Sequence, residues 1–206
     1  MADFYLASAS ARRRELLRQV GARFETLLLR TAAPRIVDVD ETVRPGEAPA
    51  DYVLRVARQK AEAGCSAVTA RTLVPRPVLG ADTTVVVEGE ILGKPRDAQQ
   101  AAAFLQRLSG RTHEVRTAVV LAVPARRGAD LRSALSTTLV TLRALEPGEI
   151  QRYCATNEPY DKAGGYALQG RAALFVERIE GSYSGVVGLP LAETAALLAG
   201  AGIVLL

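Results

Sequence analysis

Residues 4–13 are Phe4-Tyr5-Leu6-Ala7-Ser8-Ala9-Ser10-Ala11-Arg12-Arg13, an apolar run that leads through two serines to a pair of arginines. The apolar start predicts a short strand from Phe4 to Ala7. Ser10 predicts the start of a helix, because serine side chains accept hydrogen bonds from the free N–H groups at helix N-termini. The helix continues with the apolar pair Leu16-Leu17. A strand that passes directly into a helix is typical of an α/β protein.

The rest of the chain continues this alternation of helices and strands and then turns to β-hairpins. We predict a helix from about Ala50 to Gly64, and strands Val78–Ala81 and Thr84–Val87 separated by Asp82-Thr83. Further predicted elements are a helix capped by Asp97, strands 114–123 and 135–142, a helix that begins at Pro147, strands 174–179 and 184–187, and a helix 190–199. This order predicts the α/β class with a mixed, partly antiparallel sheet.

Composition bounds the size of the protein and the class of its partners. The 206 residues are 49% apolar and 23% charged, which fits one globular domain spanning residues 1–206. The net charge of +4 invites a nucleic-acid interpretation, but aromatic residues make up only 5% and the longest basic block is Arg12-Arg13-Arg14. The positive charge is therefore better matched to small anionic ligands such as phosphates than to DNA or RNA.

Other features of the sequence favour a reduced compartment without a membrane. The two cysteines, Cys65 and Cys154, are far apart and in no metal-binding spacing. The N-terminus lacks a charged leader followed by an apolar stretch, and no apolar run approaches the length that spans a bilayer. We therefore expect a cytoplasmic protein that binds neither membranes nor nucleic acid.

The corner between the first strand and the first helix suits a phosphate group. Two serine hydroxyls, unpaired backbone N–H groups and the positive end of a helix dipole would meet there. Arg13 lies three residues before Leu16, so it faces the covered side of the helix, and its guanidinium group matches the geometry of phosphate oxygens. On these residues alone, the alternative is a capped helix with solvated arginines.

Charged residues elsewhere could complete such a site. Lys60 lies on the apolar stripe of its predicted helix, so it either extends to solvent or enters a cleft. Asp82 follows an apolar strand, where it either forms a turn or orients a water molecule or a metal ion. Lys94 is expected on a rigid turn, either exposed or bound to phosphate. The loop 158–170 combines acids, a lysine and glycines, which is a composition shared by ligand-closing loops and by solvated loops.

Metal binding would depend on carboxylates. His113 is the only histidine of the chain, and we expect it to make a structural hydrogen bond. The acids that could converge on a divalent cation are Glu41, Asp82, Glu158 and Asp161. Sequence spacing alone leaves open whether they do.

Six segments of the chain match, in order and at similar separations, the motifs of one family. They are Leu6–Arg13 with Glu15-Leu16-Leu17, Gly80–Thr83, Leu92–Pro95, Leu108–His113, Glu158–Gly170 and Val186–Leu191. By these segments the chain resembles the Maf family of nucleotide pyrophosphatases over nearly its whole length.

The resemblance implies both a fold and a reaction. The implied fold is of the Maf and ITPase type, an α/β chain in two lobes around a deep cleft, usually assembled as a homodimer. The implied reaction cleaves a nucleoside triphosphate between its α- and β-phosphates with the aid of a divalent metal cation, Mg²⁺ or Mn²⁺.

The resemblance also implies roles for individual residues. Asp82, Lys60 and Lys94 match catalytic positions, and Asp82 is the expected general base, metal ligand or both. Glu41 and Asp82 match the metal-linked positions, with Asp40 as the alternative to Glu41. The positions expected to bind the substrate and its phosphates are Ser8, Ser10, Arg13, Asp161 and Lys162.

The closest subgroup by resemblance acts on dTTP and UTP. Its specificity positions match Arg12, Thr83 and Gln169, and a glutamine amide can both donate to and accept from a pyrimidine edge. Two departures are Ala11, where proline is usual and would preorganise the first helical turn, and Gly185, where a polar residue is common. Neither departure removes a charge, so we expect an active dTTP/UTP pyrophosphatase. The alternatives are a pyrophosphatase for methylated or modified purine nucleotides and a nucleotide-binding regulator of cell division without catalysis.

Overall fold

The computed structural model describes residues 2–29, 38–126 and 128–205. Its strands are β1 Phe4–Leu6, β2 Phe24–Thr26, β3 Val78–Val87, β4 Glu90–Leu92, β5 Thr112–Pro124, β6 Ala129–Leu142 and β7 Val176–Glu180. Its α-helices are α1 Ala11–Gln19, α2 Pro49–Ala70, α3 Ala98–Leu108, α4 Pro147–Cys154, α5 Tyr183–Val187 and α6 Leu191–Gly200. Short 3₁₀ helices occupy Pro159–Asp161, Ala163–Gly165 and Arg171–Phe175. Among the described residues, none of the helices combines the length with the apolar composition that a membrane-spanning helix needs.

The strands form one mixed sheet in the hydrogen-bonded order β2-β1-β3-β5-β6-β7, with β4 paired to β3. Strand β1 runs parallel to β2 and to β3, whereas β4 is antiparallel to β3 and β7 is antiparallel to β6. Parallel neighbours need a crossover connection, and α1 and α2 supply it between the first three strands. The prediction of the α/β class with a mixed, partly antiparallel sheet is confirmed.

The chain divides into two compact units. The first consists of Met1–Asp82, Thr117–Leu135 and Gly188–Leu206, and the second of Thr83–Arg116 and Ser136–Val187. Strands β3, β5 and β6 each pass from one unit into the other. That residues 1–206 fold as a single domain stays a prediction.

Each unit has its own apolar core. In the first unit, small and β-branched residues of α2 pack against β1, β3 and β5, and the core includes Tyr5, Val53, Ala57, Ala61, Val78 and Val120. In the second unit, α3 and α4 cover the ends of β3, β5 and β6, and the core includes Leu105, Leu108, Val115, Leu142, Tyr153 and Phe175. The apolar stripe predicted on the helix that carries Lys60, which is α2, therefore faces the core of the first unit.

Three predictions of local structure are wrong. Strand β3 runs unbroken from Val78 to Val87, so Asp82-Thr83 lies inside a strand and not at its end. Helix α2 continues past Gly64 to Ala70. Residues 184–187 belong to the short helix α5 instead of a strand, because the Ser182 hydroxyl accepts the N–H of Gly185 at 3.0 Å, as a helix cap does.

Candidate active site

The corner between β1 and α1 is closed by the side chains of Ser8, Ser10 and Arg13. The Ser10 hydroxyl accepts a hydrogen bond from the backbone N–H of Arg13 at 3.4 Å, so the predicted helix cap is present. Ser8 Oγ accepts from the backbone N–H of Ser10 and from Nη1 of Arg13, each at 3.2 Å. Helix α1 begins at Ala11 even without the proline that would preorganise its first turn.

Arg13 is buried, contrary to the alternative in which the arginines of this corner are solvated. The residue is 8% exposed, and its Nε donates to the carbonyl oxygen of Gly188 at 2.8 Å. Burial lowers the pKa of the Arg13 guanidinium, and the negative charges of Asp82 and Glu41 oppose this by raising it. A buried cation in the field of two carboxylates marks a charged interior site, since such groups are rarely buried without a partner.

Lys60 connects the two carboxylates predicted for this site. Its Nζ lies 2.7 Å from Oδ1 of Asp82 and 2.7 Å from Oε1 of Glu41. The side chains of Lys60 and Asp82 are 14% and 12% exposed, and that of Glu41 is 46% exposed. Lys60 therefore enters the interior of the first unit instead of extending to solvent. Asp82 lies within a strand, where it forms an ion pair, and is not a turn residue.

Gly80 sets the distance between β3 and α2. A Cβ atom at Gly80 would lie 2.4 Å from the carbonyl oxygen of Ala57 and 2.6 Å from the backbone nitrogen of Ala61, so a larger residue could not occupy this position without a shift. Alternate residues of a strand share one face, so Asp82 points toward the same helix as Gly80. The close approach thereby brings Asp82 to Lys60.

The structure distinguishes the two acids that the sequence left open near residue 41. Glu41 is the residue whose carboxylate reaches Lys60. Oδ1 of Asp40 instead accepts the backbone N–H of Thr42 at 2.9 Å, and this hydrogen bond lowers the pKa of Asp40. Asp40 therefore shapes the loop, and Glu41 supplies the carboxylate at Lys60.

The loop 158–170 belongs to the second unit and is fastened by Glu158. The Glu158 carboxylate accepts hydrogen bonds from the N–H of Arg171 at 2.9 Å, the N–H of Ala172 at 3.2 Å and the Tyr153 hydroxyl at 3.0 Å. These hydrogen bonds make Glu158 an anchor of the loop.

Other predicted site residues lie in the second unit as well. Lys162 Nζ donates to the Glu158 carbonyl oxygen at 3.0 Å and pairs with the exposed Asp161. Lys94 is exposed directly after β4, Gln169 is exposed in the same loop as Lys162, and Thr83 is half-buried within β3. The roles of these residues stay predictions. So does the role of Arg12, which is half-buried on α1 in the first unit.

A family model described as Maf-like protein matches residues 3–201. The chain belongs to the Maf family. The match covers both the Ser8–Arg13 corner and the Lys60–Asp82 pair, so the site described above lies within the matched part of the chain.

This Maf chain is similar over almost its whole length to proteins named dTTP/UTP pyrophosphatase. It is 55% identical over 199 residues to the protein of Nitrosomonas europaea, covering 97% of this chain and 94% of the relative. It is 56% identical over 198 residues to the protein of Aromatoleum aromaticum, covering 96% and 94%. It is 54% identical over 199 residues to the protein of Cupriavidus metallidurans, covering 97% and 96%. The family and the subgroup predicted from the sequence are confirmed.

For a metal ion, this Maf chain offers a pair of carboxylates. Across residues 2–29, 38–126 and 128–205, no three His, Cys, Asp or Glu side chains converge in a way that could hold a metal. Glu41 and Asp82 nevertheless meet at the same ammonium group. Mg²⁺ is commonly held by one or two carboxylates, with phosphates and waters as its other ligands. The donor set therefore fits an ion that a phosphate substrate helps to bind.

Sequence reasoning missed two residues of this Maf site, Tyr52 and Arg55 on α2. Both donate hydrogen bonds to backbone carbonyl oxygens of the segment that carries Glu41. The available signal was their spacing of three residues, which places both side chains on one face of the helix. That face meets an irregular loop, and a loop has no periodicity from which such a contact could be predicted.

Proposed function

We propose that this Maf chain hydrolyses dTTP and UTP, and modified pyrimidine triphosphates, to the nucleoside monophosphate and diphosphate. The observation that carries the proposal is the Lys60 ammonium shared by Asp82 and Glu41, at 2.7 Å from an oxygen of each. The substrates come from the relatives, which are named dTTP/UTP pyrophosphatase and cover nearly the whole chain.

The corner at the start of α1 is proposed to bind the phosphates. Ser8 and Ser10 present hydroxyls there, and the N-terminus of a helix carries partial positive charge that favours phosphate oxygens. Arg13 is fixed by Ser8 and by the Gly188 carbonyl, so its charge is held in place before a substrate arrives. A preorganised cation stabilises developing negative charge at little cost in reorganisation.

Asp82 is proposed to accept the proton of the attacking water. The new bond joins the water oxygen to one phosphorus, the phosphoanhydride bond between the α- and β-phosphates breaks, and diphosphate leaves with the electron pair. Lys60 orients Asp82 through the 2.7 Å ion pair and so fixes the direction in which the carboxylate meets the water. Lys60 also provides positive charge beside the phosphates.

Glu41 and Asp82 are the residues proposed to hold a divalent cation, Mg²⁺ or Mn²⁺. When bound, the ion would neutralise negative charge on the phosphate oxygens and lower the pKa of the water that it coordinates. Three further parts of the proposal rest on the family resemblance. They are substrate contacts by Lys94, Asp161 and Lys162, specificity set by Arg12, Thr83 and Gln169, and assembly as a homodimer.

The test is release of diphosphate from dTTP, UTP, CTP, GTP and 7-methyl-GTP, with and without Mg²⁺, by the wild type and by Asp82→Asn. We expect preference for dTTP and UTP, and a loss of about 10³-fold in kcat for Asp82→Asn, the size typical of a general base. The matched control is Asp130→Asn, which removes an exposed carboxylate paired with Arg132 on β6 and is expected to leave kcat unchanged.

The other outcomes contradict separate parts of the proposal. Triphosphate binding without any diphosphate release would favour the regulator alternative. Preference for 7-methyl-GTP would favour the purine alternative. Near-normal turnover by Asp82→Asn would remove Asp82 from the chemistry.

A further inference from the structure

The backbone around Glu41 has no helix or strand to hold it. Residues 38–44 belong to neither kind of element, although Glu41 must keep its carboxylate at the Lys60 ammonium. An irregular segment without other restraint would sample several conformations. The position of Glu41 therefore depends on contacts made to the segment by its neighbours.

Two side chains of α2 hold three consecutive carbonyl groups of this segment. Arg55 donates from Nη1 to the carbonyl oxygen of Asp40 and from Nη2 to that of Thr42, each at 2.9 Å. The Tyr52 hydroxyl donates to the carbonyl oxygen of Glu41 itself at 3.1 Å. The same helix carries Lys60, so one rigid element positions both partners of the Glu41–Lys60 ion pair.

Arg55 is in turn fixed by Glu47. Its Nε lies 2.6 Å from Oε1 of Glu47 and its Nη2 lies 2.8 Å from Oε2, a bidentate pair whose side chains are only 14% and 9% exposed. Glu47 also accepts the backbone N–H of Arg44 at 3.1 Å, and this ties the next turn of the loop to the pair. The hydrogen bond from Arg55 holds the pKa of Glu47 at about 2, so Glu47 is ionised at neutral pH.

Tyr52 is suited to the same task. The guanidinium carbon of Arg55 lies 5.5 Å from the centre of the Tyr52 ring, so the two side chains also support each other. A phenol keeps its proton at neutral pH, so the Tyr52 hydroxyl can donate to the carbonyl oxygen of Glu41.

We propose that Arg55 and Tyr52 are positioning residues that act on the reaction through Glu41. They hold the backbone of residues 40–42, so the Glu41 carboxylate is directed at Lys60 before substrate binds. The inference rests on the proposed function, because it requires that the Glu41–Lys60 pair serve hydrolysis. A displacement of about 1 Å in such a group can reduce a rate about 100-fold.

A double-mutant cycle with Glu41→Gln tests the inference. Arg55→Met is expected to lower kcat for dTTP about 100-fold in the wild-type background. Tyr52→Phe removes one oxygen atom and is expected to lower kcat about fivefold, the worth of a single hydrogen bond. In the Glu41→Gln background each change is expected to cost less than about twofold, because the carboxylate that they position is gone.

Arg58→Met is the matched control. Arg58 lies on the same helix, its side chain is 63% exposed, and it pairs at 2.9 Å with Glu62, a residue outside the segment 38–44. It is expected to leave kcat unchanged in both backgrounds. Equal fold-losses for Arg55→Met or Tyr52→Phe in the two backgrounds would show that they act on general structure, and would overturn the inference.

Hydrogen exchange of the free protein gives a readout independent of turnover. Arg55→Met and Tyr52→Phe are each expected to speed exchange of the amides of residues 40–44 and to leave the amides of α1 unchanged. Unchanged exchange at 40–44 would overturn the inference. If Arg55→Met does not fold, Tyr52→Phe carries both measurements. Absence of diphosphate release by the wild type, or full activity of Glu41→Gln, would instead count against the proposed function. In either case the exchange measurement would still decide whether Arg55 and Tyr52 hold residues 40–44 in place.

Discussion

Charged and polar side chains in the interior of this Maf chain differ in the partners that offset the free-energy cost of removing them from water. Arg13 and Lys60 are charged, and carboxylates lie near both. His113 is 3% exposed with Nε2 at 2.7 Å from the Tyr166 hydroxyl, which is the structural hydrogen bond expected from the sequence. Its Nδ1 has no hydrogen-bond partner among the described residues. Burial lowers the pKa of His113 to about 4, so this side chain is neutral when folded at pH 7.

The depressed pKa of His113 predicts a loss of stability on mild acidification. An unfolded histidine takes up its proton near pH 6.5, whereas folded His113 does so only near pH 4. The unfolded state therefore binds more protons between these values, and the free energy of unfolding falls as the pH is lowered from 6.5 to 4, by roughly 3 kcal/mol in total.

Urea unfolding at pH 7, 6 and 5 checks this prediction. Because His113 is the only histidine, His113→Gln should remove most of the slope in this pH range. A wild type and a His113→Gln variant with the same slope would show that His113 is not protonated on unfolding in this range.

At the scale of elements, glycines inside regular structure let α2 lie close to β3. Gly80 faces the backbone of α2 at Ala57 and Ala61, and a Cβ on Gly64 of the helix would lie 2.5 Å from Cγ1 of Val78. Glycine in a helix or strand normally weakens it. Here the absence of a side chain allows the approach on which the Lys60–Asp82 distance of 2.7 Å depends.

We predict that Gly80→Ala damages both stability and catalysis. The added methyl group would meet backbone atoms that cannot rotate away, so the strand or the helix must shift, at a cost of about 3 kcal/mol. Separation of α2 from β3 should also lower kcat. Gly93→Ala is the control for stability, since no atom lies within 4 Å of its Cβ position, and it should change unfolding by less than about 0.5 kcal/mol. Equal midpoints in urea for the two variants would contradict this account.

Features encoded by neighbouring residues could be predicted from the sequence, and those encoded by distant contacts could not. Ser10 and Asp97 were predicted as helix caps, and each accepts the N–H three residues later. The candidate site residues were taken from the family resemblance, and their roles stay predictions. Asp82 was wrongly placed at a strand end, because its partner Lys60 lies 22 positions earlier in the chain. Gly64 was wrongly taken as the end of α2, since the packing that favours a glycine there involves β3.

At the scale of the whole molecule, a bidentate Arg–Glu pair occurs among the described residues of each unit and lowers the pKa of its glutamate. In the first unit Arg55 pairs with Glu47. In the second, Arg143 donates to both oxygens of Glu149 at 3.0 and 2.7 Å, at the start of α4. The arginine hydrogen bond lowers the pKa of each glutamate from its usual 4.5 to about 2. Each unit thus contains an ion pair, Arg55–Glu47 or Arg143–Glu149, whose contribution to stability should be lost at low pH.

These two ion pairs test whether residues 1–206 unfold as one domain. A carboxylate whose pKa is lowered by folding stabilises the folded state above about pH 4.5 and loses that contribution as the pH falls through 2. Glu47→Gln and Glu149→Gln should therefore each lower the free energy of unfolding at pH 6, and their difference from the wild type should shrink toward pH 2. Strands β3, β5 and β6 run through both units, so we expect both units to unfold in a single transition. Hydrogen exchange measured in peptides of each unit follows this unfolding, and either variant should shift it equally in both sets of peptides. Two transitions, with each variant moving only that of its own unit, would mean that the units unfold separately and that the single-domain prediction is wrong.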